Sequence, residues 1–461
     1  MVRPRARLAL AAGFALIAVG LSALPALAAD PTFGKATIDA SFETGIVITQ
    51  PVTLAAPPAR VEILLRYADS PGPLVIEVPP PTVAGSSTLR YTVAAADGHI
   101  LPNTPVEARW RITPVGGGSP VVGPSVRDVV EDARFDWQTA NGDIVRVHWY
   151  AGGKAFGQRA LDIGEKAVAR TAKLLGVTEE KPVDFFIYAD KQAFYDALGP
   201  GTRENVGGQA NAGIRTLFAL ITPGEIDAPW VGVVVPHELT HMVFDTAASN
   251  PYHFPPRWLN EGLAVYLSQG NDPSDRTMVS AAADDRSLIP LSGLRGQFPT
   301  SARQFFLAYA ESVSAVDFLI RTHGEDALVS LISSYAEGRT DDEAFTAAIG
   351  MDTAAFDAAW LADLGAETPV RLGPQPAPPG PQPAGWGAPA VPGASAPPAT
   401  APSAGATPAA SGGPAPGDAS GSPGGGDGGA QVLLVAGTGL VIVLVVVLWR
   451  RRARRPGAGA A

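Results

Sequence analysis

Residues Gly373 to Gly429 are almost wholly Pro, Ala, Gly, Ser and Thr, with Asp418 and Asp427 the only charges. A chain of that composition cannot bury enough apolar surface to offset the entropy lost on ordering. The tract therefore confines any folded head to the residues before it and predicts a disordered stalk over 369–430, about 40 Å long as a flexible coil. After it, Val432 to Trp449 is an uncharged run rich in Val and Leu, followed at once by Arg450, Arg451, Arg452, Arg454 and Arg455. That pattern predicts one transmembrane helix over 431–449 and a basic cytoplasmic tail over 450–461. At the other end, Arg3, Arg5 and Arg7, an apolar run from Leu8 to Leu21 and the triplet Ala26-Leu27-Ala28 predict a cleaved signal peptide over 1–29. Together they place the protein in the cell membrane as a single-pass chain, with the N-terminal ectodomain outside and a short C-terminal tail in the cytoplasm.

Composition narrows the head further. The chain has no cysteine, which excludes a disulfide scaffold or a thiolate metal ribbon. Its formal charge is −10 although the termini are purely basic, so the middle is more acidic still. Such a surface repels phosphate backbones and anionic headgroups, which argues against nucleic acid as a partner and against peripheral membrane adsorption.

Two textures divide the head. Over residues 30–132, short β-type runs recur at Gly45 to Leu54, Arg60 to Tyr67, Pro73 to Val78, Thr88 to Val93 and Val106 to Ile112. Pro and Gly clusters punctuate them, as an antiparallel β-sandwich requires. Over 133–368 the spacing predicts strands at Asp143 to Tyr150, Val183 to Tyr188 and Ile214 to Thr222, and helices at 157–175 and 191–198. Helices follow at 230–247, 257–268, 302–322, 325–336, 340–349 and 353–364, so this part reads as an α+β domain.

Within it lies His237-Glu238-Leu239-Thr240-His241. On a helix, positions four apart point within about 40° of each other, so both imidazoles leave one face and can grip one ion. Glu238 points about 100° away, beside such an ion, where a base for a bound water belongs. With six histidines in the chain, chance supplies this motif about 0.003 times. A third ligand would leave a fourth position for water. Glu261, in Arg257-Trp258-Leu259-Asn260-Glu261-Gly262-Leu263-Ala264, is the candidate: a carboxylate among apolar neighbours needs a partner, and a cation is a good one.

HELTH followed after a loop by WLNEGLA resembles the gluzincin metallopeptidases, the thermolysin-type clan, and most closely their peptidase MA-like branch. The resemblance covers about residues 140 to 365. It implies a gluzincin-type catalytic domain, a mixed sheet plus helical lobe, with His237, His241 and Glu261 as Zn2+ ligands and Glu238 as general base and proton shuttle. It also implies a peptide or protein substrate, aligned by an edge strand resembling Gly207 to Gly213, and a Tyr or His donor to the oxyanion. Tyr309, in a segment similar to the Tyr-bearing helix of the family, is the candidate for that catalytic role, although an amphipathic core tyrosine fits the same pattern; His253 and Tyr266 are weaker ones.

Two features depart from the family. Pro236 precedes the motif, where either a kink is accommodated by Gly232 or the helix starts near Pro236. Val265 stands where thermolysin has an Asp that contacts a histidine ligand; Asp245, on the same face as both histidines, is a possible substitute, as is a plain solvated role for it. Histidines 99, 148 and 323 read as structural or surface residues. The reading is thus a membrane-anchored extracytoplasmic zinc metallopeptidase in which Glu238 activates a zinc-bound water; the alternative is a cell-surface binding or adhesion protein with a structural or inactive HExxH helix.

Overall fold

The computed structural model describes residues 29–369, apart from 69, 117, 201–206 and 251–252, together with Leu440–Val441. The expected signal peptide, stalk, membrane span and basic tail lie outside the described residues, except at Ala29, Pro369 and Leu440–Val441. Within the expected span, Leu440–Val441 forms a two-residue strand and not part of a helix. Among the described residues no helix is long and apolar enough to cross a membrane.

The first nine strands are β1 (Thr32–Phe33), β2 (Thr37–Ser41), β3 (Gly45–Leu54), β4 (Arg60–Tyr67), β5 (Leu74–Val78), β6 (Gly85–Ala94), β7 (Pro105–Thr113), β8 (Val121–Val122) and β9 (Val126–Val129). They make two antiparallel sheets, one with β3 flanked by β6 and by β1 and β2, the other in the order β5-β4-β7 with β8 and β9 both on β7. Alternation along the strands sends Ile46 and Ile48, Val61, Ile63 and Leu65, and Val106, Ala108, Trp110 and Ile112 into one shared core.

Next come β10 (Gln138–Asn141), β11 (Val145–Trp149), α1 (Lys154–Leu175), β12 (Val183–Tyr188), α2 (Lys191–Leu198), β13 (Gly208–Asn211) and β14 (Thr216–Leu220). Seven helices follow: α3 (Val231–Ala248), α4 (Arg257–Ser268), α5 (Pro273–Asp284), α6 (Ala302–His323), α7 (Glu325–Ala336), α8 (Asp341–Ile349) and α9 (Thr353–Asp363). The third sheet has the order β10-β11-β12-β14-β13, closed on its far side by β15 (Leu440–Val441). Its strands β11, β12 and β14 are parallel, while β10 and β13 run antiparallel to their neighbours. The chain is therefore α+β, in agreement with the sequence.

Each face of this sheet has its own cover. Val145, Val147, Phe185, Ile187, Leu217 and Ala219 point towards α1 and α3. Phe186, Tyr188, Phe218 and Leu220 face the other way, against α2 and against Leu101, Phe135 and Trp137. The N-terminal sheets dock on this second face: Asn103 donates to Asp184 Oδ2 (3.0 Å) and Thr216 Oγ1 (2.8 Å), and His99 Nε2 meets the Ala197 carbonyl at 2.9 Å. His148 bonds Asp184 Oδ1 at 2.8 Å. His99 and His148 are thus structural.

Differences from the sequence-based elements are instructive. Helix α5 was not anticipated, because Pro273-Ser274-Asp275-Arg276-Thr277 offers no apolar stripe; Asp272 caps it, accepting from the backbone N–H groups of Ser274 and Asp275. Helix α3 begins at Val231, not near Pro236. Proline at that position removes a donor and crowds the carbonyl four residues back, which belongs to Gly232. Helices α4 and α6 cross so closely that a Cβ added to Gly262 would lie 2.3 Å from the Ser312 carbonyl oxygen. Gly262→Ala should therefore force the two helices apart and destabilise the fold by about 1–3 kcal/mol, read as a lower denaturant midpoint at unchanged slope.

Candidate metal centre

The HExxH residues occupy the middle of α3, and Glu261 sits in the second turn of α4. His237 Nε2 and His241 Nε2 lie 3.6 and 3.7 Å from Glu261 Oε2, and the two imidazoles stand 4.8 Å apart between ring centroids, nearly perpendicular at 77°. All three side chains are buried. This is the group of candidate metal ligands found among the described residues, with its ligand atoms within 4.8 Å of one another.

The inner atoms of the site have no protein partners. His237 Nε2, His241 Nε2, Glu261 Oε2 and Glu238 Oε1 are all buried without a hydrogen bond. Four such atoms together would be strongly unfavourable in a plain protein core. Two imidazole nitrogens and a carboxylate oxygen are a donor set for a divalent transition metal, zinc above all, and one cation between them satisfies three of the four. The residues present fit that group.

The surrounding contacts orient the donors outward from their own bonds. His241 Nδ1 donates to Asn260 Oδ1 at 2.8 Å, which leaves its Nε2 lone pair free for a metal. Glu261 Oε1 accepts from Arg257 Nε at 3.2 Å, and the Tyr309 side chain hydrogen-bonds the same carboxylate. Glu238 Oε2 accepts the backbone N–H of Ala210 on β13 at 2.8 Å. That approach depends on Gly208, where a Cβ would come within 3.0 Å of Val234 Cγ1 and 3.3 Å of Glu238 Cγ.

Burial sets the protonation states. It pushes His237 down to about 3 and His241 down to about 4, so both imidazoles are neutral, as a metal requires. It raises Glu238 well above the carboxylate range, against the opposing pull of the Ala210 N–H, and it raises Glu261 too.

His237, Glu238, His241, Glu261 and Tyr309 are buried in this region. Tyr309 is buried, packed edge-on against Phe298 and Phe305 with centroids 5.2 and 5.1 Å away, and its hydroxyl is engaged with Glu261. It is thus both a core tyrosine and a site residue. His253 does not join them: its Nε2 bonds Asp341 at 2.8 Å. Asp245 is no substitute for the missing acid, because it lies in the field of Arg215 and Glu179, half-buried and raised mainly by desolvation. Asn260 and Arg257 were not singled out, although both flank Glu261 in sequence; the adjacency of an amide to a ligand carboxylate was the available signal.

In the metal-free protein the imidazole resonances of His237 and His241 should stay at their neutral positions from pH 8 to about 5, where an ordinary histidine titrates near 6.5. Lowered values mean that protonation begins only as the pH falls towards 4; an NMR titration of the ring protons checks this. Asn260→Ala should weaken divalent-metal binding about 10–100-fold, measured by competition with a chelator.

Residues 163–366 match the family model of the Peptidase MA superfamily. No protein with a curated description matches the sequence significantly. Among solved structures, an aminopeptidase N family protein from Idiomarina loihiensis aligns at 11% identity and a TM-score of 0.41, covering 71% of this chain and 77% of that one. An M1 zinc metallopeptidase from Deinococcus radiodurans aligns at 14% identity and a TM-score of 0.33, covering 75% and 94%.

Proposed function

We propose that the chain, whose residues 163–366 match the Peptidase MA superfamily model, is a zinc-dependent metallopeptidase whose active centre is His237, His241, Glu261 and Glu238. The observation that carries the reading is the convergence of three unpartnered, buried donor atoms on α3 and α4 beside a fourth, equally unpartnered carboxylate oxygen. A bound zinc supplies a Lewis acid that acidifies water and polarises a peptide carbonyl.

The chain's own groups do the rest. His237, His241 and Glu261 hold the ion, the imidazoles ready as neutral donors. Burial favours the protonated acid of Glu238 in the metal-free site; a cation bound beside it would favour the carboxylate, and Glu238 could then take a proton from water and hand it to the departing amine, its Oε2 steadied by the Ala210 N–H. That N–H belongs to β13, whose outer edge pairs with Leu440–Val441; a peptide taking the place of that two-residue strand by strand addition would pass close to Glu238. Tyr309, already bonded to Glu261, is our candidate donor to the oxyanion.

We further propose that the protein is exported and held to the outer face of the cell membrane by the apolar segment 431–449, on the sequence pattern alone. In that reading Leu440–Val441 would leave the β13 edge, which would then be open to substrate.

Glu238→Gln keeps the three ligands and removes the base. The variant should retain stoichiometric zinc by metal analysis and lose peptide-library cleavage by at least about 100-fold; wild-type cleavage rates in the variant, or a wild-type protein free of zinc after expression in zinc-replete medium, would refute the assignment.

A further inference from the structure

The two oxygens of Glu261 live in different surroundings. Oε2 has no hydrogen-bond partner and faces both histidine nitrogens. Oε1 takes the Nε–H of Arg257 at 3.2 Å, and the Tyr309 side chain hydrogen-bonds the same carboxyl group. Arg257 stands four residues before Glu261, one turn nearer the start of α4 on the same face.

Arg257 is itself clamped. Its Nη1 donates to Gln297 Oε1 at 3.1 Å, its guanidinium lies 5.2 Å from the Phe298 ring centroid, and its backbone N–H donates to the Arg295 carbonyl at 2.9 Å. Its side chain is only 18% exposed. A fixed cation beside a site for another cation works against metal affinity by simple repulsion. The arginine's charge favours the ionised form of Glu261, and its fixed hydrogen bond to Oε1 alone adds a geometric contribution.

Carboxylates bind metals through one oxygen or through both, and the second mode consumes a coordination position. A catalytic zinc site needs that position open. We propose that Arg257 is a positioning residue that restricts Glu261 to a single metal-binding oxygen and so reserves the remaining corner of the ion for water. The inference rests on the zinc reading above. Turning Oε1 towards the ion would break a charge-assisted hydrogen bond whose donor guanidinium is held by Gln297 and packed against Phe298. Arginine suits this task better than lysine would in general, because its planar fork serves Glu261 and Gln297 at once.

The test uses the full-length protein loaded with cobalt(II), whose visible absorption falls as its coordination number rises. Native protein should show the intense bands of a four-coordinate ion. Arg257→Leu, which removes the donor and keeps an apolar side chain against Phe298, should still bind one cobalt per chain, but with bands weakened several-fold as Glu261 closes onto the ion through both oxygens. Arg257→Lys, keeping a charged donor, should restore most of the native intensity. Thermal unfolding of the metal-free variants verifies their fold, and Arg257→Met substitutes for the leucine variant if that one does not fold. A spectrum identical to native in the apolar variant overturns the role of Arg257 and leaves the zinc reading standing. Failure of the native protein to take up cobalt or zinc overturns both.

Discussion

Desolvation is the term that the rest of the structure answers to. Two imidazoles and two carboxylates meet in the interior with four of their inner atoms unpartnered, and removing each such group from water costs a few kcal/mol unless something replaces the lost solvent. The fold replaces it only on the outer side: Asn260 behind His241, Arg257 and Tyr309 behind Glu261, Ala210 behind Glu238. The unpaired ligand atoms of His237, His241 and Glu261 converge within 4.8 Å of one another. A cluster satisfied from behind and bare in front is a socket, and the same burial that keeps its histidines neutral makes it receptive to a cation.

Holding that arrangement requires backbone at close quarters. Gly262 admits the Ser312 carbonyl of α6 against α4, where a Cβ would meet it at 2.3 Å, and Gly208 admits β13 against α3, where a Cβ would press on the Glu238 side chain at 3.3 Å. Helix α3 in turn lies on the apolar face of the third sheet with α1. The position of each reactive atom is therefore inherited from helix packing and not from loops, which is where a rigid constellation is best built.

Much of this was legible in the sequence, for identifiable reasons. His237 and His241 could be placed on one helical face from spacing alone, and Glu261 followed from an acid set among apolar neighbours together with the family resemblance. The long helices were found because their apolar periodicity is strong; α5 was missed because its first turns are polar and its start is set by the Asp272 cap. Asn260 and Arg257 escaped because their importance lies in what they touch across α3 and within α4, and a hydrogen bond over 19 residues, such as His241 to Asn260, leaves no periodic trace. Asp245 shared a helical face with the histidines yet turned to Arg215 and Glu179: one face of a helix is broad enough to serve two neighbourhoods.

The attachment of the N-terminal sheets has a wider implication. They rest on the face of the third sheet turned away from α3, joined through Asn103 to Asp184 of β12 and Thr216 of β14. Those two strands lead, through β13, to the backbone that steadies Glu238. The front half of the molecule thus lies on the side of the sheet opposite the His237 cluster. An influence passed from one to the other through β12 and β14 would travel as strain along a hydrogen-bonded ribbon, with the His99 contact to α2 as a second joint beside it.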